Sequence, residues 1–509
     1  MNRRNFLRTT ALTAGAVGLG RLALAEPKPA KASNDKPNVL VIICDDAGYA
    51  DFSMHGSKQF PTPNIDALAK GGVRFSNGYV SASVCAPSRA GLLTGRYQQR
   101  FGFITNLGSS SPGDDPACKG MRVDQVTVAD AMKSQGYRTI ALGKWHLGHQ
   151  DEYHPCKRGF TDFFGFRGGG SSYWVNKCER DLGTIEKFDG YMTDQLGLEA
   201  CKYIDDCKEK EQPFFMYLAP NAVHTPMHST KKDLAEFKDL KGAKGRKILG
   251  GMTLGLDRMV GTVMDNLKKN GIADNTLVVF INDNGGTPLT NSSCNAPLNG
   301  MKGTLLEGGI RVPFAMQWPG KIPAGKVYDK PVISLDIMST ALGAAGVSDP
   351  QKLMNTLAVE RETKVPEIEK SLGIQVSCLG GGKKNREQGF ALRHVIDSVD
   401  LMPYVTGKTT ETPHTALFWF RPPGKAVRKG DWKLVVLPDR PPMLFDLKTD
   451  ISEKTDLAHE NPAVVKEMMK DLFNWEKQTA HPMFRTEHYW LENNTKLYDR
   501  TYKLEQPQK

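Results

Sequence analysis

Residues Asn38–Cys44 read NVLVIIC, and two adjacent carboxylates, Asp45 and Asp46, follow at once. A β-branched run without polar alternation is the pattern of a strand buried on both faces. Such a strand needs helices above and below its sheet, and the chain supplies them. Comparable apolar runs occur at 139–142, 214–218, 276–281 and 310–318. Helix-like patterns at 62–70, 87–94, 126–135, 194–208 and 247–270 alternate with them. The alternation predicts an α/β fold with a large, mostly parallel sheet sandwiched between helices. Ligands of such sheets sit beyond the carboxyl ends of the strands, so chemistry is sought there.

A further helix is expected at 335–346. Residues 348–395 are charged and contain Gly380-Gly381-Gly382-Lys383-Lys384, which reads as an insertion or long excursion. From about residue 409, runs at 416–421, 426–437 and 443–447 look like antiparallel strands, and 461–479 looks like an amphipathic helix. They predict a smaller C-terminal α+β subdomain with an antiparallel sheet, ending in a polar, frayed tail. At the other end, Arg3-Arg4-Asn5-Phe6-Leu7-Arg8 precedes a weakly apolar stretch and Ala23-Leu24-Ala25, a small-residue cleavage site. That order is the pattern of a twin-arginine signal, so the twin-arginine export machinery is an expected partner and the periplasm or cell exterior the expected location. The expected division is a signal at 1–25, a linker at 26–36, a main domain at 37–408 with an insertion at about 348–395, and a C-terminal subdomain with tail at 409–509.

No run of about 18 apolar residues follows the leader, so no stable membrane insertion is expected. The net charge of +11 falls to +7 beyond the leader, which holds four arginines and no acid. That excess can attract polyanions at long range but is too diffuse to argue for nucleic acid. A basic solvated surface explains it as well. Nine cysteines in 509 residues, none in a C-x-x-C pair, exclude a disulfide scaffold and argue against a zinc ribbon or dithiol redox site. The odd number leaves one cysteine for another use. Cys44 ends an apolar run and suits a buried thiol. Cys85 is the candidate for chemistry.

Asp45 and Asp46 end a buried strand, and Gly48 permits the turn that lets both carboxylates share a site. Asn282-Asp283-Asn284-Gly285-Gly286 ends another. Adjacent acids in such places are costly without a cation, and oxygen ligands of this kind suit Ca2+, with Mg2+ second. Turn chemistry accounts for either cluster alone. Ser83-Val84-Cys85-Ala86-Pro87-Ser88-Arg89 places Cys85 at a helix start, where anions are stabilised, with Arg89 one turn along. A thiolate nucleophile is one option. The Cys-dependent phosphatase pattern needs Arg six positions later, and position 91 is Gly. Strand alternation puts Lys144 and His146 on one side, and His224 follows another apolar run. Lys302 lies in a loop between Gly300 and Gly303, which can bring it close to a ligand.

Cys85-Ala86-Pro87-Ser88-Arg89 with Leu93-Thr94-Gly95-Arg96 resembles the signature of the type I sulfatases of the alkaline phosphatase superfamily. Supporting segments are Thr62-Pro63-Asn64-Ile65-Asp66, Gly143-Lys144-Trp145-His146-Leu147-Gly148, Asp283-Asn284-Gly285 and Gly308-Gly309-Ile310-Arg311-Val312-Pro313. Phe445-Asp446-Leu447 with Asp456-Leu457 resembles the family's late motif. The resemblance covers about 38–457 apart from 348–395 and makes 37–408 a sulfatase catalytic domain of alkaline-phosphatase-like fold. It implies that a maturation enzyme converts Cys85 to formylglycine (3-oxoalanine), whose hydrate attacks sulfur and forms a covalent sulfate hemiacetal. It further implies Ca2+ on Asp45, Asp46, Asp283 and Asn284 with residue 85 nearby, and Arg89 anchoring residue 85. Lys144 and Lys302 would neutralise sulfate oxygens, His146 would take the proton that collapses the hemiacetal, and His224 with Lys302 would serve the leaving oxygen. Arg311 reads as structural. A sulfated carbohydrate is the expected substrate, with Arg167, Trp174, His228 and Arg421 as candidate specificity groups. Two alternatives are a formylglycine-dependent phosphonate monoester or phosphodiester hydrolase and a non-catalytic exported glycan-binding protein.

Overall fold

The computed structural model describes residues 36–107, 119–372, 394–480, 482 and 494–499, with the backbone alone over 362–372. The leader at 1–25, nearly all of the linker, Gly380–Lys384 and the last ten residues lie outside them. Among the described residues no helix is long and apolar enough to cross a membrane.

The strands run in chain order as β1 (Asn38–Cys44), β2 (Val73–Phe75), β3 (Gly78–Tyr79), β4 (Arg138–Lys144), β5 (Asp162–Phe166), β6 (Lys177–Arg180), β7 (Thr184–Lys187) and β8 (Phe214–Ala219). Then follow β9 (Thr276–Asn282), β10 (Phe314–Gln317), β11 (Lys326–Tyr328), β12 (Val332–Ile333), β13 (Leu417–Arg421), β14 (Gly424–Lys429), β15 (Trp432–Val436) and β16 (Met443–Asp446). One ten-stranded sheet has the order β11-β2-β10-β9-β1-β8-β4-β5-β6-β7. Its centre, β9-β1-β8-β4-β5, is parallel, and β10, β6 and β7 run antiparallel to the strands they pair with.

Every residue of β1 is buried, as the unbroken apolar run requires. Val39, Val41 and Ile43 pack on one face with the helices Cys85–Thr94, Val128–Ser134 and Asp336–Ala344. Leu40, Ile42 and Cys44 pack on the other with Pro63–Lys70, Met192–Glu209 and Lys244–Lys269. Cys44 is the buried thiol expected, and the seven cysteines described are all free.

Three expectations need correction. The run 310–318 is not one strand: Glu307–Ile310 is a helical turn and β10 begins at Phe314, after Pro313, which has no N–H for a ladder. The run 426–437 is a hairpin, β14 and β15, turning at Gly430 with φ +58°. The segment 348–395 is not wholly an excursion. Pro350–Leu372 is a helix whose Met354 and Ala358 sit in the core, an i, i+4 stripe hidden among charges.

The sheet β13-β14-β15-β16 and the helix Pro462–Glu476 form the expected C-terminal unit, and its core is continuous with that of the large sheet. A buried ion network joins them. Lys433 Nζ lies 2.8 Å from both Glu307 Oε1 and Glu453 Oε1, all three side chains fully buried. Glu307 also accepts from Tyr79 Oη and pairs with Arg311, which donates to the Ser76 carbonyl and is structural as expected. Burial opposes the charge on Glu307, but Lys433 and Arg311 outweigh it and hold the carboxyl at about 2. Burial, with Glu307 adding, pushes Glu453 up to about 7. Removing Lys433 leaves the buried Glu453 without its cation and Glu307 with its longer pair to Arg311, so Lys433→Met is expected to cost about 3–5 kcal/mol. Urea unfolding midpoints would read this, and a change below about 1 kcal/mol would sink it.

His414 contributes a pH-dependent latch. Its Nε2 is 2.9 Å from both oxygens of Asp336. Burial disfavours the imidazolium, but Asp336 outweighs burial and holds the pKa above the ordinary value of 6.5. The stabilisation is therefore full below the unfolded value and is lost as pH rises through the raised folded one. The stability gap between wild type and His414→Gln should shrink as pH rises above about 6.5 and through the raised folded value. A gap that widens would contradict the assignment.

Candidate active site

The register of the sheet builds the site. Cys44 pairs with Asn282, so Asp45 and Asp283 leave neighbouring parallel strands side by side. Asp45 is tied back to the chain after β8 by two backbone bonds, its N–H to the Ala222 carbonyl and its carbonyl from Val223 N–H. The turn expected of Gly48 is made by Asp46, at φ +59°. Asp tolerates that conformation through its short polar side chain. Gly48 has φ −82° and serves close approach instead: a Cβ there would lie 2.2 Å from the Cys294 carbonyl oxygen.

Cys85 is the first residue of a fully buried helix, and its Sγ lies 3.6 Å from Asp45 Oδ1 and 3.9 Å from Asp46 Oδ1. Lys302 Nζ donates to Cys85 Sγ at 3.1 Å and pairs with Asp46 at 2.7 Å. Lys144 Nζ pairs with Asp45 Oδ2 at 2.6 Å, both fully buried. Arg89 donates through Nε and Nη2 to Asp283 Oδ2 and through Nη1 to Tyr217 Oη and the Lys144 carbonyl. Its guanidinium therefore binds Asp283 and the strand ends rather than residue 85 directly. Three carboxylates and three cations thus interlock around one sulfur.

The electrostatics follow from burial set against these pairs. Burial opposes the Asp45 charge, but Lys144, His224, Arg89 and Lys302 together hold its carboxyl far below the usual range. Asp283 is pushed up to about 6 by burial, with Asp45 adding. Burial pushes the Cys85 thiol well up despite the two lysines, so the unmodified side chain stays protonated. That weighs against the simple thiolate nucleophile.

His146 departs from the expected strand alternation. β4 ends at Lys144, and His146 has φ +62° with its N–H on the Arg167 carbonyl. Its Nε2 lies against Gly169, where a Cβ would come within 2.5 Å, and its buried Nδ1 has no hydrogen-bond partner among the described residues. Burial, then Lys144 and Arg89, keep the ring neutral. His224 Nε2 is 3.6 Å from Asp46 Oδ2, and its Nδ1 is 2.6 Å from the Thr225 carbonyl. Asn284 donates from Nδ2 to Asp46 Oδ1, while its own Oδ1 is buried with no partner.

Donor atoms of Asp45, Asp46, Cys85 and Asp283 lie within 4.8 Å of one another. With the orphaned oxygen of Asn284 this is an all-oxygen set beside one sulfur, the donor chemistry of a hard divalent cation. All ten expected site residues therefore gather at one edge of the sheet. Of the specificity candidates, Arg167 is committed to Glu179 and Asp151, and Trp174 is half-exposed. The buried His228 Nδ1 has no partner, and Arg421 donates to the Gly303 carbonyl.

Sequence reasoning missed Tyr217, Asn291 and Asn106. Tyr217 was read as core in its apolar run, yet it faces the Cys85 helix and meets Arg89. Strand parity could have found it. Asn291 donates to the Asp46 carbonyl and Asn106 accepts from Ala86 N–H, capping the helix start. Neither carries a local signal.

A parallel sheet with a buried, helix-borne cysteine, acids and lysines at its carboxyl edge defines an alkaline-phosphatase-like hydrolase of anionic esters. Comparison with known proteins narrows the class. The Sulfatase family model matches residues 37–347. The chain belongs to the sulfatase family, the sulfuric ester hydrolases. Human arylsulfatase A is 31% identical over 456 residues, covering 83% of each chain. N-acetylgalactosamine-6-sulfatase of Mus musculus is 31% identical over 354 residues, and the match covers 65% of each. The crystal structure of Ps i-CgsB in complex with k-i-k-neocarrahexaose superposes with a TM-score of 0.75 at 33% identity, covering 92% of this chain and 100% of that one.

Proposed function

We propose that this sulfatase removes sulfate from a sulfated oligo- or polysaccharide, with residue 85 acting as formylglycine beside one Ca2+ ion. The observation that carries the reading is Cys85 Sγ at 3.1 Å from Lys302 Nζ and within 4 Å of Asp45 and Asp46. A nucleophile placed there faces cations on one side and hard-metal ligands on the other. The glycan assignment is supported by relatives: one is named for N-acetylgalactosamine 6-sulfate, and Ps i-CgsB is seen with k-i-k-neocarrahexaose.

The roles are those that the family resemblance implies, and the placement of the side chains supports them. Lys144 and Lys302 stabilise sulfate oxygens as charge shifts toward the leaving oxygen. Arg89 holds Asp283 and the ends of β4 and β8, and so keeps the floor of the site rigid. His146, neutral and with a free Nδ1, takes a proton from residue 85, and His224 gives one to the departing sugar oxygen. Asp45, Asp46, Asp283 and Asn284 would hold the Ca2+, which would supply positive charge to the sulfate and share the Asp45 and Asp46 carboxylates with Lys144 and Lys302.

Cys85 is 1% exposed, so its maturation enzyme has to act before the chain closes around it. The Arg3-Arg4 leader fits that order, since twin-arginine export carries folded protein to the periplasm or exterior. The mass of the peptide spanning residue 85, from protein made with its maturation enzyme, tests the modification. An unmodified thiol in active protein would refute it. Turnover of sulfate, phosphonate and phosphodiester analogues tests the reaction, and faster phosphonate cleavage would favour the rival hydrolase.

A further inference from the structure

Lys302 stands between two glycines in left-handed conformations, Gly300 at φ +86° and Gly303 at φ +94°. Glycines impose little conformation of their own, and a lysine stem has four rotors. The placement of its ammonium on residue 85 therefore rests on its ion pair with Asp46 and on contacts that hold the loop. Two of these belong to the site itself: Lys302 N–H donates to the Gly286 carbonyl, and Gly303 N–H to the Ser83 carbonyl. Two others come from the far end of the chain. Arg421, last residue of β13, donates from Nη1 to the Gly303 carbonyl at 2.7 Å. Tyr498 Oη accepts from Leu305 N–H at 2.9 Å, across 193 residues of sequence.

Tyr498 is not a loosely laid tail residue. It is 1% exposed, and its hydroxyl reaches the loop over Gly424, where a Cβ would come within 2.8 Å. Its segment, 494–499, is fastened at both ends. Asn494, itself buried, donates to the Pro422 carbonyl, and Asp499 pairs with Arg440 at 2.8 Å. Leu497 lies against Gly303, 3.6 Å from where a Cβ would stand.

We propose that Tyr498 and Arg421 are positioning residues for Lys302: the returning end of the chain clasps the back of the 300–305 loop and aims its ammonium at residue 85. This rests on the reading above, in which Lys302 works on the sulfate. Neither residue touches the reacting atoms, so their effect appears in the chemical step rather than in substrate capture.

The test is steady-state kinetics of the full-length matured protein with an aryl sulfate monoester. Tyr498→Phe deletes one hydroxyl and keeps the packing. It is expected to lower kcat about tenfold with KM changed less than about twofold, since small misplacements of a charged group are costly to the transition state. Arg421→Met should act likewise and serves if the tyrosine variant folds poorly. The decisive arm is a double-variant cycle. In a Lys302→Ala background, Tyr498→Phe should lower kcat no further. Losses that multiply in that background, or a wild-type kcat in both Tyr498→Phe and Arg421→Met beside an impaired Lys302→Ala, would overturn the clasp and leave the reading of Lys302 intact. A wild-type kcat in Lys302→Ala itself would overturn both.

Discussion

Cys85→Ala is expected to take sulfate-ester turnover to background, a fall of at least about 10^4-fold, while the fold persists. The size of the loss follows from the position. No other nucleophile stands between Lys302 and the pair Asp45 and Asp46 among the described residues, and its neighbours act on what residue 85 does. The fold should survive because the site loses only the reactive group at the tip of one short side chain. Residue 85 lies in a helix buried throughout, and its hydrogen-bonding neighbours retain one another: Lys302 keeps Asp46, and Asp45 keeps Lys144. An unchanged circular dichroism spectrum with turnover at background is the expected pair of results. Cys85→Ser is the sharper control. If a hydroxyl alone restored wild-type turnover, the aldehyde hydrate would be unnecessary and the proposed chemistry would be wrong.

Stripping divalent cations is expected to produce a loss of comparable size, restored by Ca2+. Asp45, Asp46 and Asp283 are buried together, and Asn284 Oδ1 is a buried acceptor that no donor among the described residues satisfies. A buried unsatisfied oxygen costs about 1–3 kcal/mol, which a cation can recover. Binding only to the folded state also raises stability, by about 2.7 kcal/mol at a hundredfold excess over Kd. Ca2+ added to chelator-treated protein should therefore raise the thermal midpoint as well as restore turnover. Asp46→Ala should remove both responses, and Asn284→Ala should weaken them by a smaller amount. Full activity in chelator, or an equal thermal response in Asp46→Ala, would show that the cluster is not a metal site.

That Asp45, Asp46, Asp283 and Asn284 lie at a common edge was legible from the chain, because two local patterns suffice. An unbroken apolar run marks a strand buried on both faces, and in a parallel sheet such strands all end on the same side. Cys85 was legible for a similar reason, since Pro87 marks a helix start and Arg89 follows one turn on. Some features carried a faint signal that was outweighed. Met354 and Ala358 form a helical stripe, but the surrounding charges and the later glycines disguised it. Tyr217 has the right strand parity, yet an apolar context favours reading it as core.

Other features had no local signal at all. The edge hairpin β6–β7 is mostly polar and charged residues that are strands because β5 offers an edge. The pairing of Lys433 with Glu307 joins segments more than a hundred residues apart, as does the bond from Leu305 to Tyr498. The left-handed turns at Asp46 and His146 are set by what packs on them.

By itself, then, the amino-acid order determined which segments are buried strands and helices, where the strands end, and which chemical groups stand at those ends. Hydrophobic period and turn chemistry are properties of a few neighbouring residues, and they survive without knowledge of the partner. Only the tertiary structure decided that Cys44 lies opposite Asn282, that Arg89 grips Asp283, and that the end of the chain returns to the loop of Lys302. Register, ion pairing and long-range docking depend on which distant surfaces meet. That choice is made by the packing of the whole core, and no stretch of the chain encodes it alone.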